Sequence, residues 1–229
     1  MKSLKLFAIA LSLTLNAFCQ DKGFVAINIG PSIPIGDFAS GDENKEKAGF
    51  AKTGFFADLS FGYKLGNIFG IGATVRTQSN SYDSQSIEDI LNLVDPSIMT
   101  KITADPWKCS GLLAGLYGSV PIKEGKTTFD FRSQIGFMDC RTPAITMSLS
   151  AFGFSESFSM GSSSSTSFAY LLGAGFKFDV SSKICINTGI DYVGTSPEFK
   201  IQDFDTGETT TYSQPISTIN IGVGAGIRL

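Results

Sequence analysis

Residues 216–229 read ISTINIGVGAGIRL, and their alternation decides the fold. Ile219, Ile221, Val223, Ala225, Ile227 and Leu229 share one parity, while Thr218, Asn220, Gly222, Gly224, Gly226 and Arg228 share the other. A period of two sends these sets to opposite faces of an extended strand. Apolar residues on one face, with glycine and polar residues on the other, suit the closing strand of a barrel whose outside is lipid and whose inside is polar.

The same alternation recurs upstream and predicts eight strands, over residues 24–30, 54–63, 68–78, 107–122, 127–138, 167–178, 184–193 and 216–229. The connections at 64–67, 123–126 and 179–183 are tight turns. Those at 31–53, 79–106, 139–166 and 194–215 are long and polar. Short turns at one end and long loops at the other are the pattern of barrels that cross a membrane. Aromatic residues add an independent sign. On the apolar faces, Phe61, Tyr63, Phe69, Phe129, Phe131, Phe176 and Phe178 lie beside the short turns, and Phe55, Phe137, Phe168, Tyr170 and Tyr192 beside the long loops. Aliphatic residues such as Leu59, Ile71, Leu116, Ile135, Leu172 and Ile190 fall between them, as expected of two belts flanking a hydrocarbon band. The other faces read as small and polar, with glycines leaving room for Arg76, Tyr117, Arg132, Lys177 and Arg228.

Asp58, Asp130 and Asp191 share this inner face with Arg76, Arg132, Lys177 and Arg228, and together they make a candidate charge network in the lumen. Pairing Tyr63 with Phe69 across the 64–67 turn would set Asp58 diagonal to Arg76. Buried charges must be paired and hydrogen-bonded, which predicts a plug of salt bridges; the alternative is a narrow path for water or solute. A two-residue turn at Glu124-Gly125 would pair each residue i with 249 − i, setting Cys109 opposite Cys140 at the rim. Two readings stand there: a disulfide, in an oxidising compartment and as a hydrogen-bonded pair with Cα atoms ~5.5 Å apart, or two free, buried thiols. Cys185 then stays unpaired as a small interior residue.

Other features bound the function. The chain has no histidine, which removes Ser–His catalysis and imidazole-ligated metal, and its cysteines lack metal-site spacing. No catalytic residue, metal site or cofactor is expected. Asp203, Asp205 and Glu208 read as a solvated acidic loop that falls short of a calcium loop. Lys2 and Lys5 precede an apolar stretch at 6–15, and Ala17 and Cys19 are small residues at cleavage-reading positions. This predicts a signal peptide over residues 1–19 and a single barrel domain over 20–229. Losing Lys2 and Lys5 takes the formal charge from −3 to −5, against nucleic-acid binding. In the second loop Ile87, Ile90, Leu91 and Val94 share a helical face behind Ser86 as N-cap, which predicts a short helix lidding the mouth. The 144–160 segment, rich in serine, reads either as a hairpin above the membrane or as two more strands, with residues 162–165 as a flexible tip.

Gly30-Pro31-Ser32-Ile33-Pro34-Ile35-Gly36-Asp37-Phe38 follows the first strand, Ala48-Gly49-Phe50-Ala51 leads into the second, and Gly-Ile-Arg-Leu ends the chain. With these features the chain resembles the outer-membrane β-barrel domain family of Gram-negative bacteria, small porin-like barrels of OmpX and OmpA shape. The resemblance implies an all-β fold, a closed antiparallel up-and-down transmembrane barrel of eight strands (or ten), with short periplasmic turns and long extracellular loops. It implies export through the periplasm after signal-peptide cleavage and residence in the outer membrane, in contact with lipid and lipopolysaccharide. The barrel-assembly machinery would read Gly224, Ile227 and Leu229, although Leu229 stands where an aromatic residue is commoner. The expected role is a non-enzymatic scaffold that presents loops, including Phe152, Phe154 and Phe158, to an extracellular ligand of unknown kind. The alternative is a narrow porin-like channel for small or hydrophobic solutes.

Overall fold

The computed structural model describes residues 22–42, 44–94, 99–122, 126–151, 154–202 and 209–229. The 1–19 segment, the Glu124-Gly125 turn, Phe152 and the acidic cluster at Asp203, Asp205 and Glu208 lie outside the described residues.

Eight long strands form one closed antiparallel barrel: β1 Gly23–Pro34, β2 Gly54–Lys64, β3 Phe69–Asn80, β5 Trp107–Ile122, β6 Thr127–Arg141, β9 Ser164–Asp179, β10 Ile184–Thr195 and β13 Ile216–Arg228. Each pairs with the next in this order, and β13 closes on β1, with Phe24 opposite Arg228. Closure leaves no unpaired edge. Strands β1, β3, β6, β9 and β10 run past the expected bounds at the long-loop end, where the barrel rises beyond its aromatic belt.

The β5–β6 hairpin keeps the register i with 249 − i, so Tyr117 faces Arg132 and Cys109 faces Cys140. The β2–β3 hairpin departs from expectation. The amides of Leu65 and Gly66 both donate to the Phe69 carbonyl, at 3.0 and 3.1 Å, so the chain reverses over 66–68. Tyr63 therefore pairs with Ile71 rather than Phe69, and Asp58 moves from diagonal to directly opposite Arg76.

The two faces of the barrel wall differ sharply. The outward positions of the eight strands carry three charges, Lys108, Asp139 and Arg141, while the inward positions carry nine. Large apolar side chains such as Phe55, Phe69, Phe137, Phe168, Ile71, Leu116 and Ile135 stand exposed on the outside. On β9 the belts run from Phe168 to Phe178. Ten residues at ~3.3 Å, tilted as an eight-stranded barrel requires, give a band about 25 Å tall.

Above the rim, β4 Met99–Ala104, β7 Ile145–Ala151 and β8 Phe154–Met160 form a separate three-stranded sheet. The barrel thus has eight strands and not ten. The β7–β8 hairpin continues the β6–β9 register, from Arg141 opposite Ser164 to Ile145 opposite Met160. Its serines form a ladder on one face: Thr146 meets Ser159, Ser148 meets Ser157 and Ser150 meets Ser155, all within 3.1 Å. Residues 162–165 are not a free tip: Ser163 exchanges hydrogen bonds with Thr142, and β9 begins at Ser164. Helix α1, Ser84–Val94, starts before Ser86. Its cap is Asp83, which accepts from the Ser86 amide at 3.2 Å. The helix packs against β4. Asn92 and Glu88 bind the backbone of β4 at Thr100 and Ile102, covering that strand's edge. A second hairpin, β11 Glu198–Gln202 with β12 Thr209–Ser213, and a 3-10 turn at Gly36–Ala39 complete the crown.

Candidate functional site

The lumen divides into layers. At mid-height, Asp58 of β2, Arg76 of β3, Arg132 of β6 and Asp191 of β10 close into a square of alternating charge. Arg76 Nη2 donates to Asp58 at 2.8 Å and to Asp191 at 2.6 Å. Arg132 holds both oxygens of Asp191, at 3.0 and 2.6 Å, and reaches Asp58 at 3.3 Å. Asn28 and Ser60 donate to the remaining oxygen of Asp58. Arg76 is 1 % exposed, and its guanidinium lies 4.4 Å from the centre of the Phe56 ring. With two cations serving two anions, the layer is neutral, which is how buried charge is tolerated.

Glycine makes the square possible. A Cβ at Gly173 would lie 3.0 Å from Arg132 Cγ, and one at Gly222 would lie 2.9 Å from the Phe56 ring. Both would intrude on the side chains that build the layer.

The other predicted residues lie nearer the short turns and do not join the square. Lys177 pairs with Asp130 at 2.7 Å, donates to the Tyr117 hydroxyl at 2.7 Å and sits 3.9 Å over the Phe24 ring. Arg228 pairs with Asp179, which ends β9 where the sequence predicts a turn. The predicted single network is thus three separate groups, because the tiers lie at different heights. A cavity of about 80 Å³ between them is lined by Ser60, Thr74, Arg132, Gln134, Lys177 and Asn187. It has room for a few waters, and Gln134 Oε1 and Asn187 Oδ1 have no protein partner.

The layer above the square was missed. The inward residues of the sequence predict a face that is small and polar throughout. Toward the long loops it is apolar: Leu113, Met138, Ala169, Leu171, Val193 and Ile216 are buried there together. The crown reaches down to meet them. Phe38 packs edge-on to Trp107 with ring centres 5.6 Å apart, Phe199 meets the indole at a tilt with centres 6.0 Å apart, and the Trp107 indole donates to the Gly49 carbonyl. The signal was available in the inward parity of Leu113, Met138 and Leu171. Cys109 and Cys140 join this layer as a disulfide with Cα atoms 4.1 Å apart, closer than the ~5.5 Å of a hydrogen-bonded pair. Cys185 is buried nearer the short turns.

Higher still, a cleft of about 450 Å³ opens in the crown, lined by Phe50, Tyr82, Trp107, Pro143, Met160 and Tyr212. Burial pushes the Tyr82 and Tyr212 phenols up from their ordinary value. Beside them, burial alone would raise the carboxyl of Asp83, but hydrogen bonds from Lys52 and Ser86 hold it below its ordinary value. Phe158 is exposed on the hairpin. Among the described residues no group of acidic or cysteine side chains is placed to hold a metal.

No family model matches the chain, and no curated protein does. Among solved structures it is similar to Neisserial surface protein A, at 12 % identity over 90 % of this chain and 97 % of the other, TM-score 0.48. It is similar to the attachment invasion locus protein Ail of Yersinia pestis, at 19 % identity over 91 % and 99 %, TM-score 0.43. It is also similar to a major outer membrane protein of Thermus thermophilus, at 10 % identity over 90 % and 99 %, TM-score 0.49.

Proposed function

We propose that the chain is a non-enzymatic outer-membrane barrel, closed to solutes, that anchors its crown of loops at the cell surface. The inversion of its two faces carries this reading. An outer wall of exposed aromatic and aliphatic side chains is costly in water and favourable in lipid. Eight of the nine inward charges are held in ion pairs, as belongs to a wall that faces inward to polar groups and outward to hydrocarbon. The long loops face the outside, and the short turns face the periplasm, reached after cleavage of residues 1–19. Insertion would use the barrel-assembly machinery acting on the last strand, and the surrounding partners are outer-membrane lipid and lipopolysaccharide.

In this reading the crown is the working part. Its aromatic cleft and the exposed β7–β8 hairpin supply the contact surface for an extracellular ligand. A narrow channel is the second reading, favoured by the small polar cavity below the square. It requires the Leu113–Met138–Leu171 layer to part. Reconstitution of the chain from Gln20 onward into planar bilayers tests the choice. Protein shown to be folded and inserted should give no current steps; stable unitary steps would establish the channel instead.

A further inference from the structure

The three outward charges are not scattered. We propose that Lys108 and Arg141 form a binding site for the phosphate group of an anionic lipid in the leaflet around the long-loop end. This rests on the membrane reading above. The register sets Lys108 directly opposite Arg141 on neighbouring strands, a placement in which like charges repel and nothing is gained without an anion between them. Asp139 does not supply that anion. It lies opposite Ser110, accepts from Thr166 at 3.2 Å, and makes an ion pair with neither cation among the described residues. Arg141 Nε donates to Ser162 Oγ at 2.8 Å, which orients the guanidinium. Its two terminal nitrogens, and the ammonium of Lys108, have no protein partner among the described residues.

The fold holds this unfavourable pair in place. One residue further in, Cys109 and Cys140 join the same two strands, with Cα atoms 4.1 Å apart. The rim therefore stays zipped where repulsion would fray it. The wall below matches the rest of a lipid. Under the cations come Ser110 and Thr166, then Leu112, Phe137 and Phe168, which are 58, 63 and 53 % exposed. Arg141 is four residues beyond Phe137, ~13 Å along the strand and about 10 Å along the barrel axis. That places both cations at headgroup height above the aromatic belt. Elsewhere the outward faces of the eight strands carry no charge, so the site is confined to one side of the barrel.

The test uses the chain from Gln20, refolded into phosphatidylcholine vesicles, which must first co-float with them. Failure to float would overturn the membrane reading and this proposal with it. For protein that floats, native mass spectrometry compares retention of a bisphosphorylated glycolipid of the lipid A type with that of the same lipid stripped of phosphate. The phosphorylated form should be held about tenfold more tightly. Lys108→Ser with Arg141→Ser should abolish the preference while leaving Trp107 emission native, and Lys108→Ser alone should reduce it. Equal retention of both lipids by the wild type, or an undiminished preference in the double variant, would overturn the site and leave the membrane reading standing. Inorganic phosphate at the same concentration should not displace the glycolipid; equal competition would assign the cations to free anions instead.

Discussion

Replacing Arg76 with leucine should destabilise the barrel without opening it. Arg76 is buried and makes two charge-assisted bonds, to Asp58 and Asp191, while stacking on Phe56. Removing it leaves two carboxylates to share Arg132. Asp191 keeps both of its bonds from that residue, whereas Asp58 keeps one at 3.3 Å, plus Asn28 and Ser60. Stripping one partner from a buried ion cluster costs about 3–5 kcal/mol, and the lost cation–ring contact adds up to ~2 kcal/mol. The bonds retained by Arg132 and the apolar bulk of leucine offset part of this, so the expected loss is about 3–4 kcal/mol. Adding Asp58→Asn removes the surplus negative charge. The double variant should therefore recover about 1–3 kcal/mol relative to the sum of the two single changes. Guanidinium unfolding in detergent, followed by the emission of the sole tryptophan, Trp107, gives these values directly. The conductance of the single variant should stay at zero, because Leu113, Met138 and Leu171 close the lumen above the square. A loss below ~1 kcal/mol with additive variants would show that the square is not a stabilising unit. Current steps would show that the square, rather than the apolar layer, is the seal.

Three further outcomes follow from other parts of the molecule. Unfolded without reductant, the chain from Gln20 should label at one thiol, Cys185, and with reductant at three; three in both conditions would refute the Cys109–Cys140 bridge. Losing that bridge should cost about 3–4 kcal/mol by loop entropy, read as a lower denaturation midpoint. Leu113→Ala should cost ~2–5 kcal/mol by the same unfolding assay, since its side chain is fully buried; a loss under ~1 kcal/mol would mean that the layer collapses to fill the gap. Asp83→Ala should weaken α1 by about 1 kcal/mol, read as faster amide exchange over Ser84–Val94. Because the carboxyl of Asp83 is held below its ordinary value of 3.8, its contribution is fully present above that pH and fades as pH falls through the lowered value. Protection of the helix amides, taken relative to their intrinsic exchange rate at each pH, should therefore fall under acid in the wild type but not in the alanine variant.

The barrel was legible because its signal is binary and repeated. Each strand announces itself by parity, and the belts and the sorting of loop lengths fix its height. The site was legible only in part. Parity correctly sends Asp58, Arg76, Arg132 and Asp191 inward, but which of them meet depends on register, and register depends on turns. One turn closing over 66–68 moved Asp58 by two residues. Asp179 was hidden because it ends a strand at the edge of a turn. The crown was read least well. The strands β4, β11 and β12 are only five or six residues long, too short for a period to stand out, and β4 pairs with β7 far along the chain. Ser86 resembled a cap because it directly precedes the apolar helical face at Ile87, whereas the cap is Asp83, to which Ser86 donates.

The layering of the lumen follows from what each end of the barrel must meet. An eight-stranded barrel has room inside for side chains and little else. Toward the short turns, Gly72, Gly173 and Gly222 yield that room to arginine, glutamine and phenylalanine, and the long polar chains cross the bore to neutralise one another. Toward the long loops, the inward positions instead hold Leu113, Met138, Leu171 and Val193, which cannot cross the bore or pair with charge. They can, however, receive apolar side chains from above, and Phe38, Trp107 and Phe199 fill that space. The apolar half of the lumen thus acts as a socket that fixes the crown to the wall, with the disulfide in the same layer. A barrel built to conduct would gain nothing from burying loop aromatics in its bore. A barrel built to hold a crown rigid would gain the positional order that a binding surface needs. Substitutions in the socket, such as Leu113→Ala, should therefore disturb the crown cleft as well as the barrel, whereas Arg76→Leu should leave the cleft intact while the protein remains folded. Comparing amide exchange at Tyr82 and Tyr212 between these two variants separates the roles, and equal effects would mean that the socket has no special hold on the crown.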